Sequence, residues 1–417
     1  MGVTQAPQRR TANGSVRLLI AAGTSYYGDW LTTVALVVLL FRATGTATAP
    51  AIYILARAAP RVLGPAPGGA LADRFGPARL AAVCAVLQAA LTASIIGFAN
   101  LHVIWAVYVV VALAQLLGAM AQPAYYAMIP FVTDPAHLGR LNAAYNAILE
   151  TCMLVAPALG ALLLLAGITP QWLIFGDAAS FVVAAALLVT LRIPGHGGAW
   201  PTKGMFAAVP IVRNDGMLRI FAVGHLCNAA VVTVLQAVLV VAAAQRFGHD
   251  TNVGWLYAAV GAGGLVGSLA LLRWIPSNVH SGSIVTAVFG ELIPLGVFAV
   301  APSFITALAL LFVSSVFAAL YQTRGAVGLQ ERVRKELLGR ANAVIRFAVY
   351  LGMLLGAIIA ASALTWLRWD QLLIAVTGAA AVVVLIGLVT SPGERVPVPA
   401  AEPLPQALGP VPGSPFD

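Results

Sequence analysis

The chain is 417 residues long, 60% hydrophobic and only 9% charged, with a mean hydropathy of +0.93. Water-soluble domains carry about a quarter charged residues, so this composition excludes a soluble protein. The net charge of +9 does not point to nucleic acid, because the basic residues sit in short connections between apolar runs, where membrane orientation accounts for them.

Residues 1–14 are polar, and the run after them continues as a full-length helix, which argues against a cleavable signal. A hydrocarbon core of roughly 30 Å takes about 20 helical residues. The apolar runs meet that length over 16–41, 47–72, 78–98, 102–128, 142–166, 172–191, 217–245, 252–273, 282–300, 303–326, 341–366 and 371–390. The expected fold is therefore an all-α integral membrane protein of twelve transmembrane helices, in two pseudo-symmetric six-helix bundles. Residues 192–216, with prolines and glycines and little apolar register, read as a linker between bundles 15–191 and 217–390. Residues 391–417 are proline-rich, cannot bury a core, and are expected to form a disordered tail.

One set of connections holds Arg9, Arg10, Arg74, Arg79, Arg140, Arg192, Lys203, Arg213, Arg273, Arg332, Arg334, Lys335 and Arg340. The opposite set holds little beyond Arg42, Arg246 and Arg368. Cytoplasmic connections carry the Lys/Arg excess, so both termini, including tails 1–14 and 391–417, are expected in the cytoplasm of a multi-pass cell-membrane protein.

Internal repetition supports two bundles. Leu138-Gly139-Arg140-Leu141-Asn142-Ala143 recurs as Leu338-Gly339-Arg340-Ala341-Asn342-Ala343, an offset of 200 residues. The same offset pairs Met153-Leu154 with Met353-Leu354, Gln122 with Gln322, and Thr33-Val34 with Thr233-Val234. Chance matches between Ala/Leu-rich helices do not explain the shared Arg, Asn, Gln and Thr.

Gly69-Ala70-Leu71-Ala72-Asp73-Arg74-Phe75-Gly76 is a charged, glycine-bounded turn between two apolar runs. It resembles motif A of the major facilitator superfamily, departing only after Gly76, where Pro77-Ala78 replace two basic residues and Arg79 follows one place late. Ala156-Pro157-Ala158-Leu159-Gly160-Ala161 is similar to a weakened motif C of the drug–proton antiporters, with Pro157 and Gly160 matching. The resemblance is to the twelve-helix exporter branch of macrolide efflux proteins and enterobactin exporters. It implies two parallel repeats about an axis along the membrane normal. It also implies a conformational latch in which Asp73, framed by Gly69 and Gly76, meets the start of helix 11 at Gly339–Asn342, with Arg74 and Arg140 as partners. A carboxylate at a helix N-terminus gains about 0.3–1 kcal/mol.

Ionisable side chains in a bilayer are costly and face a bundle interior or a wet cavity. Here they are Asp29, Arg57, Arg61, Glu150, Glu291 and Arg346. Arg57 and Arg61 share one face of helix 2 at one-turn spacing, and Asp29 or Glu150 is the expected carboxylate partner. Glu150 is the first candidate for proton coupling and Asp29 the second; a purely structural acid paired with arginine is the competing reading of Asp29. Helix 5 aligns Asn146, Glu150, Met153 and Pro157 on one stripe, and helix 11 aligns Arg346 and Tyr350 on its repeat mate. Helix 1 adds Tyr26 and Thr33, and helix 4 adds Gln115, Gln122 and Tyr126. Helix 7 offers His225, Asn228 and Gln236, and helix 10 offers Gln322. Together these outline a cavity of amides, aromatics and few charges, suited to an amphiphilic organic molecule. Glu291 is expected in a peripheral helix, paired or partly exposed near its end, His225 as a hydrogen-bonded core residue, and Asp177 near the outer end of helix 6, meeting water. The cysteines Cys84, Cys152 and Cys227 have no ligand spacing and read as packing.

These features lead to a secondary transporter that exports an amphiphilic small molecule in exchange for protons. The expected energy source is a proton gradient, with no cofactor and no metal. The expected partners are a small-molecule substrate and the lipid bilayer, with no nucleic acid and a monomeric state. A nutrient importer of the same fold and a non-transporting receptor are the alternatives. No nucleotide loop or nucleophile constellation supports an enzyme.

Overall fold

The computed structural model describes residues 12–134, 137–191, 193, 209–273, 279–333 and 335–391. Residues 1–11 and 392–417 of the expected tails, most of the linker at 192–216 and the side chain of Glu150 lie outside these residues, while residues 12–14 of the expected tail already belong to the first helix.

The helices are α1 (Ala12–Thr44), α2 (Thr48–Leu63), α3 (Pro65–Phe75), α4 (Pro77–Asn100), α5 (Ile104–Val132), α6 (Leu138–Leu165) and α7 (Pro170–Val189). After them come α8 (Val209–Arg213), α9 (Gly216–Arg246), α10 (Val253–Arg273), α11 (Ser281–Phe298), α12 (Phe304–Arg332), α13 (Lys335–Ala363) and α14 (Trp369–Val389). Since α2 and α3 form one crossing and α8 is a short connector, twelve crossings are described, as expected. The helix bounds carry the sequence offset: α5 and α12 begin at Ile104 and Phe304 and end at Val132 and Arg332.

Local chemistry sets these ends. Pro77 and Pro170 open α4 and α7 at the first helical position, where the missing N–H has no partner to lose. The Asp215 carboxylate accepts from the Leu218 amide to start α9, and the Ser303 hydroxyl accepts from the Thr306 amide to start α12. Pro65 cannot donate into the helix before it, which separates α2 from α3. The charged turn is tighter than its sequence suggests. Asp73 and Arg74 belong to the last turn of α3, and the whole reversal into α4 is made by Gly76 at φ 90°, a conformation that excludes a Cβ-bearing residue.

The face bearing the first residue of α1 and the last residue of α14 is termed the terminal face, and its opposite the distal face. Helices α1–α7 and α9–α14 pack largely within their own sets, but the sets meet at the distal end, where α2 packs on α13 and α6 on α10. One apolar core spans both sets there, joining Val34–Leu40 of α1 and Ala49–Ala58 of α2 to Val234–Ala243 of α9 and to Ala357 and Ala360 of α13. The terminal half of the first set has a separate core, built from Leu18, Ala22, Ala81, Ala124, Met128 and Tyr145. The two sets are thus joined distally and parted toward the terminal face.

Candidate functional site

Asp29 lies midway along α1, and three residues converge on its carboxylate. Arg57 Nη2 donates to Oδ2 at 2.8 Å, Arg61 Nη2 donates to the same oxygen at 3.1 Å, and Gln115 Nε2 donates to Oδ1. Gln115 Oε1 in turn accepts from Arg61 Nε and Nη2 at 3.1 and 3.0 Å. The one-turn spacing of Arg57 and Arg61 on α2 aims both guanidinium groups at α1, and the Trp30 ring lies under them at 4.3 and 5.3 Å. Of the two expected partners for these arginines, Asp29 takes the position.

The cluster holds a second acid. Asp177, expected to meet water, is 4% exposed and faces Arg57 from α7. Two turns separate it from the distal start of that helix, and Gly28 makes its place. A Cβ on Gly28 would collide with Asp177 Oδ1 and Ser180 Oγ, so only glycine lets α1 and α7 close over the carboxylate. Two aspartates and two arginines therefore balance formally, but Arg57 Nε and Nη1 remain buried without a hydrogen-bond partner. Burying charge is tolerable only when paired and hydrogen-bonded, so the arrangement is sensitive to any change in net charge.

A second polar group crosses between the repeats. Arg346 Nη2 of α13 donates to Asn146 Oδ1 of α6 at 3.0 Å, and Tyr126 donates to the same oxygen at 2.9 Å. Asn146 and Arg346 are repeat mates separated by 200 residues; mates that touch mark the pseudo-twofold axis. Gln122 of α5 and Tyr350 of α13 exchange a hydrogen bond at 3.0 Å. These contacts bridge the cleft that opens to the terminal face.

The other expected residues fall in several places. Tyr26 is half-buried between α1 and its neighbours. Thr33 is in the core, not on a cavity wall: it is 2% exposed, and its hydroxyl donates to the Asp29 carbonyl oxygen. Thr233 repeats that bond to Ala229, so the shared Thr-Val pair is a packing signature. Pro157 is buried and Met153 exposed on α6. His225 packs between Phe221 and Tyr321, tilted against the first ring and edge-on to the second, with ring centroids at 4.5 and 4.9 Å. Asn228 lies beside Glu291, and Gln236 and Gln322 are half-buried. Glu291 departs from expectation: it is 2% exposed in the middle of α11 and meets no cation within ion-pair distance among the described residues. The helix α3, carrying Gly69, Asp73 and Arg74, packs on α4 and α5 of its own repeat. The Arg74 guanidinium lies over Phe75 and Arg140 is exposed. Cys84, Cys152 and Cys227 are buried free thiols.

At the distal face Arg42, ending α1, pairs with Asp250 in the connection between α9 and α10, with Nη2 and Oδ1 3.2 Å apart. Sequence position alone marked Arg42 only as an exception to the charge asymmetry.

Twelve crossings in two repeats, with a buried charge cluster beside an axial polar cleft, define a polytopic membrane protein of the transporter type. The Major Facilitator Superfamily model matches residues 18–290, and the chain belongs to that superfamily. It is 27% identical over 268 residues to the multidrug efflux pump Tap of Mycobacterium tuberculosis, covering 60% of this chain and 63% of the relative's length. The Tap pump of Mycolicibacterium fortuitum is 26% identical over 369 residues, covering 82% of this chain and 87% of the relative. Among solved structures, the nucleoside transporter NupG superposes with a TM-score of 0.64 at 14% identity, over 90% of this chain and 98% of that one. A peptide transporter of the POT family gives 0.66 at 12% identity, over 90% and 93%. At these identities the structures establish the shared fold.

Proposed function

We propose that this protein exports an amphiphilic small molecule from the cell in exchange for protons, by alternating access. The observation that carries the reading is the Asp29–Arg57–Arg61–Gln115 cluster, held at mid-depth beside a cleft closed at one face, in a chain whose curated relatives are multidrug efflux pumps. Under this reading the terminal face is cytoplasmic, both termini lie inside, and the protein works as a monomer in the cell membrane with no cofactor beyond the proton gradient. It performs no catalysis.

Protonating a carboxylate in the cluster removes one negative charge and leaves the arginines in excess. With an effective dielectric near 20, a pair of unit charges about 4 Å apart interacts by about 4 kcal/mol, ample to favour a rearrangement that hydrates the arginines. Proton and substrate then compete for the Arg61 side of the cleft. Glu150, on the stripe of Asn146, is the first candidate for the acid that carries the coupled proton, and Asp29 is the second. The latch of Asp73, Arg74 and Arg140 belongs to the opposite, distally open state, in which the terminal ends meet.

The test is extrusion of a compound panel from cells or inverted vesicles, with a pH gradient imposed and then collapsed. Uphill export that stops on collapse supports the reading. Accumulation of a substrate into right-side-out vesicles, with none exported, replaces it with import. Retention of proton-driven export by both E150Q and D29N removes these acids from the cycle.

A further inference from the structure

Glu291 sits apart from the Asp29 cluster and from the polar contacts between the repeats. It projects from the middle of α11 into the interior of the second repeat, where α11 packs on α9, α12 and α14. Its Oε2 is buried and has no hydrogen-bond partner. The groups that face it are the Asn228 amide on α9 and the Tyr321 ring on α12. The Tyr321 hydroxyl is already spent on the Phe221 carbonyl oxygen at 2.6 Å. On α14 the buried polar group Thr377 has its hydroxyl bonded within its own helix, and the only ionisable group of that helix, Asp370, lies at its distal end with Arg368. His225, one turn before Asn228 on α9, is packed between two aromatic rings.

We propose that Glu291 is a second proton-binding site, located in the C-terminal repeat and distinct from the candidate acids of the N-terminal repeat. An ionised carboxylate here would have no cation within ion-pair distance among the described residues and only the Asn228 amide beside it, whereas the neutral acid brings no charge that needs compensating. An uncompensated charge in such a place costs several kcal/mol, and a group that can titrate neutralises instead. Asn228, on α9 beside the acid, is half-buried. Movement of α9 away from α11 hydrates the carboxyl and releases its proton; repacking recaptures one. Two sites, one in each repeat, make the transport cycle move two protons per turnover. This last step rests on the proposed efflux; the proton site itself does not.

Two measurements test it. In purified protein returned to lipid, infrared difference spectra of wild type against E291Q should show a carboxylic-acid carbonyl band, shifted on deuteration, that E291Q lacks. E291D, which keeps the acid on a shorter arm, should move the band without removing it, and it serves if E291Q does not fold. A band unchanged in both variants overturns the site. In inverted vesicles, ethidium is the probe. Exchange of one monovalent cation for two protons carries net charge, so an imposed membrane potential should accelerate wild-type export. In E291Q that acceleration should vanish while export driven by a pH gradient alone survives. An undiminished response to potential in E291Q overturns the two-proton cycle. Failure of the wild type to move ethidium or any other compound uphill overturns the efflux reading, and the infrared result still decides the proton site.

Discussion

Replacing Asp29 with Asn removes the charge that two arginines share and keeps the shape of the side chain. The amide retains one acceptor oxygen but turns its nitrogen toward a guanidinium or toward Gln115, both donors at that point. Arg57, 3% exposed with two nitrogens already unpartnered, then keeps only the Trp30 ring and the charge of Asp177, which makes no hydrogen bond to it. Breaking a buried pair by removing one partner costs about 3–5 kcal/mol. With an unfolding entropy of about 2.1 cal/mol/K per residue, that loss over a chain of this length corresponds to a fall in Tm of about 3–6 °C. The assay is thermal unfolding in detergent, followed by tryptophan fluorescence, for D29N, R57Q and the double variant. Removing both charges restores neutrality against Asp177 and Arg61, so the double variant should be markedly more stable than the sum of the single losses, with a coupling of about 1–3 kcal/mol. Additive losses, or a D29N protein that melts within 1 °C of wild type by such an estimate, would show that the arginines do not rely on Asp29.

Three further outcomes follow from the packing. Gly28→Ala should force α1 from α7 and cost about 1–3 kcal/mol, while Gly176→Ala, where a Cβ meets nothing within 4 Å, should be neutral or mildly stabilising; equal melting of the two would refute the close approach. Arg42→Ala removes an exposed distal pair worth at most about 1 kcal/mol, so the distally open population should rise by up to about fivefold, read as a longer distance between spin labels at Leu101 and Ile305. Tyr350→Phe deletes the bond to Gln122 that bridges the repeats, worth about 0.6 kcal/mol in a membrane interior. Labels at Arg79 and Gln330 should then report a wider terminal cleft, and an unchanged distribution would remove that bridge from the conformational balance.

The parts legible in the sequence were those governed by one helix at a time. Span length, the charge asymmetry of connections and the 200-residue repeat depend on local composition, and the helix bounds at Ile104 and Phe304 reproduce that repeat. The Arg57–Arg61 face was visible because one-turn spacing fixes direction, and a partner on α1 follows from adjacency in the chain. Residues whose role depends on a neighbouring backbone were hidden. Asp177 was misplaced because counting from a helix end gives depth but not facing, and the space that receives it is created by a missing atom at Gly28, 149 positions away along the chain. The repeat of its polar side chain at Thr233 suggests a cavity wall for Thr33, yet both hydroxyls turn back to their own helix. The contact between Asn146 and Arg346 was present in the repeat all along, since mates at the edge of an axial cleft are the residues symmetry brings together. A polar match between repeats thus has two outcomes, a helix-internal bond or a contact on the axis. Size decides which: a threonine hydroxyl reaches its own carbonyl four residues back, whereas an arginine is long enough to cross to the other half.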